Sequence, residues 1–351
     1  MDSLTQIVLG ASIAAAVVPA GHRRAALVAG AALGTAPDLD GVVIALMTDD
    51  PVLRMTLHRG ISHSLLVLPF ASAALWWLYR RSGHGRVAQS PLRWFCAIQL
   101  AVLTHPILDA FTVYGTQLLW PLRSPPVMWS SVFIVDPLYT VWLLLGSVVA
   151  ALAGSRRLGQ RALVAGLVLS SAYLGWSLVA KSMVEGEAAR ALASAGLADA
   201  PRFSVPMPAN TVLWRVVAMT PDGYVEGFHS LIADRGPMQF KAYPSATAAL
   251  SVNLASPAVQ RLAWFTHGFI GARVVNGQLQ LSDLRMGHEP DYFFRFAVAQ
   301  QHADSWVSIA PEQIRGTRDI ARIWHATWSR IWETPDPGTG AGWPEAAVGG
   351  P

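Results

Sequence analysis

Residues 162–180 read ALVAGLVLSSAYLGWSLVA, an apolar run without a charged side chain that ends at Lys181. An α-helix needs about 20 apolar residues to cross the roughly 30 Å hydrocarbon core of a bilayer, so this run predicts a transmembrane helix. Beyond Lys181 the apolar runs shorten, and polar residues and prolines become frequent. We therefore predict a membrane domain, residues 1–181, followed by an extramembrane domain, residues 182–334.

The composition of the whole chain is typical of a membrane protein. Of 351 residues, 52% are hydrophobic and 14% are charged, and the mean hydropathy of +0.36 is too high for an ordinary soluble protein. Further apolar runs precede residue 162, and together they predict a polytopic α-helical protein with about six transmembrane helices. The runs are roughly Leu4 to Ala20, Ala25 to Met47, Ile61 to Tyr79, Trp94 to Phe111, Val132 to Ala153 and Ala162 to Ala180.

The arginines indicate the orientation of these helices, because cytoplasmic loops are enriched in Lys and Arg. In alternate loops, nine arginines lie on one side and three on the other. The nine are Arg23, Arg24, Arg80, Arg81, Arg86, Arg93, Arg156, Arg157 and Arg161, and the three are Arg54, Arg59 and Arg123. We expect the nine on the cytoplasmic side, which puts the C-terminal domain on the external side.

The C-terminal domain has the pattern of an α+β fold. Two hairpins are predicted, one around Pro221-Asp222-Gly223 and one around Asn276-Gly277, whose residues tolerate positive φ. The paired segments are Thr211 to Ala218 with Tyr224 to Ile232, and Ala272 to Val275 with Gln278 to Leu284. Between them, Ser256-Pro257 is typical of a helix start and predicts a helix to about Thr266.

A final helix is predicted from roughly Pro311 to Trp332. It aligns apolar side chains on one face, which would pack on the sheet or lie at the membrane interface. These are Ile320, Trp324, Trp328 and Ile331. The Pro, Gly and Ala content after Thr334 predicts a disordered tail, residues 335–351.

Three polar clusters interrupt the apolar first half of the chain, and the predicted topology places all of them at the external face. They contain Asp38 and Asp40, His58 and His63, and His105 and Asp109. Ionisable groups at this depth are costly, so they indicate a functional site. Imidazole and carboxylate groups bind zinc, manganese or iron, and the lone Cys96 excludes a cysteine-ligated zinc site within one chain. We predict one or two divalent metal ions, with zinc favoured; the alternative is that each group is only a helix cap.

The local spacing constrains how these ligands would meet. Asp109 lies one helical turn after His105, although Pro106 should push His105 away from helical geometry. Asp38 and Asp40 are two residues apart and would point the same way only if the preceding Pro37 leaves the stretch extended.

Other polar residues beside the clusters have candidate catalytic roles. Arg59 is suited to hold a phosphate or carboxylate oxygen of a substrate. Ser62 or Ser64 would orient a ligand or act as a nucleophile. Asp136 opens the fifth apolar run and would either cap that helix or join the site. The predicted catalytic set is Arg59, Ser64 and Asp136.

Several of these motifs occur together in one known family. They are MDSLTQ at 1–6, PDLD at 37–40, HRGISHS at 58–64, THPILDAF at 104–111, YGTQ at 114–117, DPLY at 136–139 and NTVLWR at 210–215. In these segments the chain resembles the YdjM-type family of bacterial inner-membrane proteins, whose members are predicted to be metal-dependent hydrolases. The resemblance implies an inner-membrane protein, and with the arginine distribution it implies a periplasmic C-terminal domain.

These observations predict a membrane-bound metal-dependent hydrolase. Its expected substrate is a lipid or lipid-linked ester or phosphoester from the outer leaflet, and its expected surroundings are the lipid bilayer. The arginines are spread over short loops, so no nucleic-acid partner is expected. The alternative is a transporter or a metal-binding membrane protein without hydrolytic activity. No oligomeric state is predicted.

Overall fold

The structure, a computed structural model, describes residues 1–83, 85–303, 305–316 and 320–334. The predicted tail, residues 335–351, lies outside these ranges. The chain forms two compact units. The first contains Met1–Thr48, Leu57–Trp129 and Ile134–Trp176, and the second contains Asp49–Thr56, Ser130–Phe133 and the chain from Ser177 onward.

Helices make up most of the chain up to Ser194. They are α1 (Ser3–Val17), α2 (Arg23–Thr35), α3 (Asp40–Met47), α4 (Pro51–Leu57), α5 (Leu68–Arg81), α6 (Gly85–Gln89), α7 (Pro91–Ala110), α8 (Pro137–Ala153) and α9 (Arg157–Ser194). Short 3-10 turns occupy Ala20–His22, Ala36–Leu39 and Ile61–His63. The predicted break at Pro37 is confirmed, since α2 ends at Thr35 and a 3-10 turn carries the chain to Asp40.

Glycines allow α1 and α2 to pack with their backbones in close approach. A Cβ atom on Gly30 would lie 2.3 Å from the Gly10 carbonyl oxygen, and one on Gly34 would lie 2.4 Å from the Gln6 carbonyl oxygen. Small residues permit this spacing between helices in a membrane, where van der Waals packing drives association. The packing holds the end of α2, and the turn after it, beside α1.

α7 is continuous through Pro106, so the expected displacement of His105 from helical geometry was wrong. Proline removes one backbone donor, and in membrane helices neighbouring groups satisfy the backbone groups that it leaves. Here the Gln6 side-chain amide donates to the His105 carbonyl oxygen at 3.3 Å. His105 and Asp109 therefore lie one turn apart on a single helix.

The expectation of six transmembrane helices is not supported. In the described ranges, Ala20–Met47 and Arg157–Ser194 are long and apolar enough to cross a membrane. A third span results if Pro51–His63 and Leu68–Arg81, which are bent by 57°, form one broken helix. With 15 and 17 residues, α1 and α8 are shorter than the roughly 20 residues that a full crossing requires.

The second unit contains two four-stranded antiparallel sheets. The first has the strand order β1 (Arg202–Pro206), β2 (Leu213–Thr220), β3 (Gly223–Ser230) and β4 (Lys241–Pro244). The second has the order β10-β9-β6-β5, formed by β5 (Ile270–Val275), β6 (Gln278–Asp283), β9 (Arg295–His302) and β10 (Ser305–Gln313). A small hairpin joins β7 (Gly287–His288) to β8 (Asp291–Tyr292), and the helices are α10 (Thr247–Val252), α11 (Pro257–Phe265) and α12 (Ile320–Trp332).

Both predicted hairpins and the predicted α11 are confirmed. Asn276 and Gly277 have φ of 51° and 72°, as a two-residue turn requires. The final helix is shorter than predicted, because Pro311 lies in strand β10. β10 is an edge strand whose register shifts between Ser308 and Glu312, a position at which proline is tolerated since its missing donor breaks no ladder.

Candidate metal centre

Four side chains from three separate segments converge in the first unit. Asp38 comes from the 3-10 turn after α2, His63 from the turn Ile61–His63, and His105 and Asp109 from successive turns of α7. One ligand atom of each lies within 4.8 Å of every other. His63, His105 and Asp109 are fully buried, whereas the Asp38 side chain is 20% exposed.

Five of the six distances between these atoms are close to the edges of a metal coordination tetrahedron. The two Nε2 atoms of His63 and His105 are 3.1 Å apart. Asp38 Oδ1 lies 3.4 Å from each Nε2, and Asp109 Oδ2 lies 3.3 Å and 3.5 Å from them. A tetrahedral zinc ion with bonds of about 2.0 Å requires ligand separations of about 3.3 Å. Five of the six separations are thus close to zinc-ligand spacing, and the sixth, between Asp38 Oδ1 and Asp109 Oδ2, is within 4.8 Å.

The imidazole hydrogen bonds determine which nitrogens face the centre with a lone pair. His105 Nδ1 lies 2.5 Å from the Gly34 carbonyl oxygen, which can only accept, so Nδ1 carries the proton. The Ser62 hydroxyl donates to Asp40 at 2.5 Å, so at 2.9 Å it accepts from His63 Nδ1. In neutral rings both Nε2 atoms then present lone pairs to each other at 3.1 Å, an arrangement that either a metal ion or a shared proton between them satisfies.

The carboxylate oxygens that face the centre lack ordinary donors. Asp38 Oδ1 and Asp109 Oδ2 are buried and have no hydrogen-bond partner among the described residues. The other oxygen of Asp109 accepts from the Gln6 amide at 3.0 Å and contacts the Met1 amino group. Arg59 Nε lies 3.2 Å from Asp109 Oδ2 without hydrogen-bond geometry. Buried carboxylate oxygens of this kind fit a metal ion, which would complete their coordination.

Comparison with known proteins identifies the family. The model of the YdjM inner membrane protein family matches residues 1–184. The chain belongs to the YdjM family. No curated protein and no solved structure matches it. The matched residues include all four side chains of the candidate centre, so the centre lies in the family's own part of this YdjM protein.

Asp40 and His58 were predicted as ligands, and the structure places them beside the centre. Asp40 accepts hydrogen bonds from His58 Nδ1 at 2.7 Å, from the Arg59 backbone N–H at 3.0 Å and from the Ser62 hydroxyl. Since Ser62 in turn contacts His63, Asp40 is placed to orient the His63 ring. Such carboxylates commonly fix the tautomer of metal-binding histidines.

The divergence of Asp38 and Asp40 follows from the backbone between them. A 3-10 helix has about three residues per turn, so side chains two residues apart point in different directions. The stretch is a 3-10 turn leading into α3 and not an extended segment. Asp38 therefore faces the Nε2 atoms of His63 and His105, and Asp40 faces His58 and Ser62.

The predicted catalytic residues of the YdjM protein have structural partners. Arg59, at φ 62°, is buried against Asp109 and the Tyr114 ring, whose centroid lies 4.8 Å from its guanidinium carbon. Ser64 is buried and donates to the Trp120 carbonyl oxygen at 2.6 Å. Asp136 caps α8 through the Leu138 and Tyr139 backbone N–H groups and accepts from the Tyr173 hydroxyl. Arg59 alone of these three touches the centre.

Sequence reasoning missed Gln6 and Thr112 as parts of the site. Gln6 donates to Asp109 from α1, and Thr112 accepts from Arg59 Nη1 at 3.3 Å. The available signal for Gln6 was a buried amide within an apolar helix, since polar groups in such helices need a specific partner.

Proposed function

We propose that this YdjM protein is a membrane-bound metal-dependent hydrolase. Its substrate would be a lipid or lipid-linked ester or phosphoester at the outer face of the inner membrane, and its C-terminal domain would be periplasmic. The observation that carries the proposal is the convergence of Asp38 Oδ1, Asp109 Oδ2 and two Nε2 atoms within 4.8 Å of one another, with five of the six separations at 3.1–3.5 Å. We infer one ion, because the four donors surround a single point.

The donor set fits zinc best. Two imidazole nitrogens and two carboxylate oxygens in a tetrahedral arrangement suit zinc, and manganese and iron also accept these ligands. Asp38, His63, His105 and Asp109 would hold the ion, while Asp40 through Ser62 keeps the His63 ring in its binding orientation. A bound divalent ion supplies Lewis-acid activation of water and neutralises charge on the attacked group.

The exposed surroundings of Asp38 support a lipid-like substrate. Of the four proposed ligands, Asp38 alone is partly exposed, so a substrate would reach the centre from its side. Leu39, Val42 and Val43, which follow Asp38 in the chain, are 57%, 61% and 54% exposed. Exposed apolar side chains in a membrane protein face acyl chains, so the entrance is suited to a ligand that arrives through the bilayer.

Metal binding without hydrolysis is the second candidate function, either in a transporter or as a metal-binding protein. It is favoured by the closed donor set, since catalytic zinc sites commonly have three protein ligands and an open position, whereas structural sites have four. Hydrolysis would require water to approach beside Asp38, either as a further ligand or in place of this carboxylate.

Metal analysis of the purified protein tests the shared basis of both functions. The wild type should contain one zinc, manganese or iron ion per chain, and the double variant His63→Ala/Asp109→Ala should contain none. The matched control is His302→Ala/Asp49→Asn, which alters an exposed histidine and an exposed aspartate. Full metal content in the ligand variant would refute the ligand assignment.

Two activity measurements then separate the candidate functions. Hydrolysis of labelled lipid esters and phosphoesters in proteoliposomes, lost on chelation and restored by the metal, would support the hydrolase. Metal uptake into the same proteoliposomes without hydrolysis of any labelled lipid would support the transporter. A stoichiometric metal content with neither activity would support a structural metal site.

A further inference from the structure

α12 has two faces with opposite environments. On one face, Thr327, Arg330 and Ile331 are buried. Ile331 packs in one apolar cluster with Leu213 and Phe228 of the first sheet. Arg330 donates to both carboxylate oxygens of Asp234, at 2.9 Å and 2.6 Å. These contacts hold the helix on the sheet and fix the direction of its other face.

The outer face of α12 carries three exposed tryptophans. Trp324, Trp328 and Trp332 follow at intervals of four residues and are 49%, 38% and 62% exposed. Trp324 and Trp328 contact each other, with ring centroids 5.6 Å apart. The sequence predicted that Trp324, Trp328 and Ile331 share one face, which packs on the sheet or lies at the membrane interface; in the structure Ile331 is buried and the two tryptophans are exposed. Three large aromatic side chains in water are costly, so this face requires an apolar partner.

The position of α12 in the second unit indicates what that partner is. Lys181 directly follows the apolar run of α9, and its ammonium lies 5.9 Å from the Trp214 ring centroid at the start of β2. Leu192, about three turns further along α9, packs with Ala218 toward the end of β2. β2 therefore runs beside α9 in the same direction, with its first residues near Lys181, where the apolar run of α9 ends, and its last residues further from that run.

Leu213, which contacts the α12 cluster, immediately precedes Trp214. The C-terminal end of α12 consequently packs at the end of the sheet where α9 leaves its membrane-length apolar segment. The charge of α12 is also suited to a lipid surface. Its sequence IARIWHATWSRIW contains arginines and no acidic residue, and the Arg322 side chain is 50% exposed, with its guanidinium 3.8 Å from the Asp291 carboxylate.

We propose that α12 lies in the headgroup region of the membrane, with Trp324, Trp328 and Trp332 inserted at the boundary between headgroups and acyl chains. Tryptophan prefers this boundary because its ring is apolar and its indole N–H is a hydrogen-bond donor. Arg322 adds attraction to anionic phospholipids. α12 and α9 then hold the second unit to the bilayer at two points.

Site-directed fluorescence in proteoliposomes tests this placement with the full-length protein. The single native cysteine is removed by Cys96→Ser, and an environment-sensitive probe is attached to Trp324→Cys, Trp328→Cys or Trp332→Cys. The control is Asp222→Cys, in the exposed turn at the opposite end of β2. Lipids with a nitroxide near the headgroup end of the acyl chain should quench the three α12 probes several-fold more than the control probe.

Two other results would overturn the proposal. Quenching at α12 equal to that at residue 222, together with strong quenching by aqueous iodide, would place the tryptophans in water. Protection from both quenchers would mean that a protein, such as a second copy of the chain, covers the face. All labelled variants must first retain the thermal unfolding transition of the Cys96→Ser protein.

A charge variant provides an independent measurement. In vesicles that contain phosphatidylglycerol, Arg322→Glu should reduce nitroxide quenching of a probe at residue 328. Arg190→Glu, an exposed arginine on α9 about two and a half turns beyond Lys181, is the matched control and should leave the quenching unchanged. If the probe at residue 328 is quenched equally in Arg322→Glu and Arg190→Glu, Arg322 has no role in lipid attraction. If the probe is quenched in neither variant, the lipid contact itself is contradicted.

Discussion

Buried carboxylates occur in both units of the molecule, but they are satisfied differently. In the second unit, Asp283 accepts from Nε and Nη2 of Arg285 at 2.9 Å and 2.7 Å. Glu226 likewise accepts from Nε of Arg215 at 2.7 Å, with Nη2 at 2.6 Å. In the first unit, Asp38 Oδ1 faces two imidazole nitrogens and has no hydrogen-bond partner among the described residues.

The difference separates structural charge pairs from a binding site. A guanidinium group provides the hydrogen-bond donors and the opposite charge for its carboxylate within the protein, so the carboxylate needs no further cation. At the candidate metal centre, in neutral imidazole rings, the two Nε2 atoms and the two carboxylate oxygens all accept, and of these four groups only Asp109 has a described guanidinium beside it, with Arg59 Nε 3.2 Å from Oδ2. Four acceptors around one point are complementary to a cation.

Removal of one ligand from the centre should have the largest effect. Zinc sites that couple to folding have apparent binding free energies of about 10–16 kcal/mol, so His105→Ala should lose almost all bound zinc at micromolar concentrations. The measurement is thermal unfolding of the detergent-solubilised protein with zinc and with a chelator. Zinc should raise the melting temperature of the wild type and of His302→Ala, but not that of His105→Ala. An equal zinc-dependent shift in all three proteins would contradict the prediction.

Breaking a completed pair in the second unit should destabilise the fold without affecting the metal. Arg215→Ala leaves Glu226 buried without its cation, which typically costs about 3–5 kcal/mol. The control is Arg190→Ala, whose exposed ion pair with Glu187 should contribute less than about 1 kcal/mol. Chemical unfolding with metal analysis of the folded protein measures both quantities. If the folded Arg215→Ala protein lost its zinc, the ion pair of the second unit would affect metal binding, and the distinction between a structural pair and a binding site would fail.

Local patterns predicted the parts of the fold that local interactions determine. The Asn276-Gly277 turn, the helix that starts at Pro257 and the break at Pro37 each depend on a few adjacent residues. The count of membrane spans and the position of Pro311 depend on tertiary contacts. α1 and α8 are too short to span, and Pro311 lies in an edge strand whose pairing with β9 is not visible in the sequence.

The candidate site was predictable in residue type and less so in geometry. The pattern of ionisable residues in apolar segments indicated His63, His105, Asp38 and Asp109, because burying such groups costs free energy and they are therefore usually functional. Whether Asp38 or Asp40 faces the centre depends on the 3-10 geometry after Pro37, which composition does not specify. The role of Gln6 depends on contact between α1 and α7, and these segments are far apart in sequence.

Asp40→Asn should sharpen the distinction between ligands and the residues that orient them. Asp40 receives hydrogen bonds from His58, from the Arg59 N–H and from Ser62. In Asp40→Asn one carboxylate oxygen is replaced by an NH2 group, which cannot accept these hydrogen bonds. Loss of such support commonly weakens metal binding by about 10–100-fold, so the variant should still bind zinc at saturation. Competition with a fluorescent chelator measures the affinity, and Asp49→Asn is the control. Complete loss of zinc would make Asp40 a ligand.

His288, a buried histidine outside the candidate metal centre, should have a smaller effect, on the pH dependence of the free energy of unfolding. In the second unit His288 is buried near Glu226, and burial lowers its pKa from the usual 6.5. The unfolded chain then binds a proton below about pH 6.5 that the folded chain resists, so the stability present above this pH is lost as the pH falls. Each unit of pKa shift corresponds to about 1.4 kcal/mol. Unfolding of His288→Gln at pH 7.5 and 5.5 should show a smaller loss than the wild type, whereas His302→Ala, exposed in the wild type, should behave like the wild type. A larger loss of stability between pH 7.5 and 5.5 in His288→Gln than in the wild type would mean that the imidazole is charged in the folded state. A buried histidine would then carry charge in the second unit too, and the contrast with the candidate metal centre would be weaker.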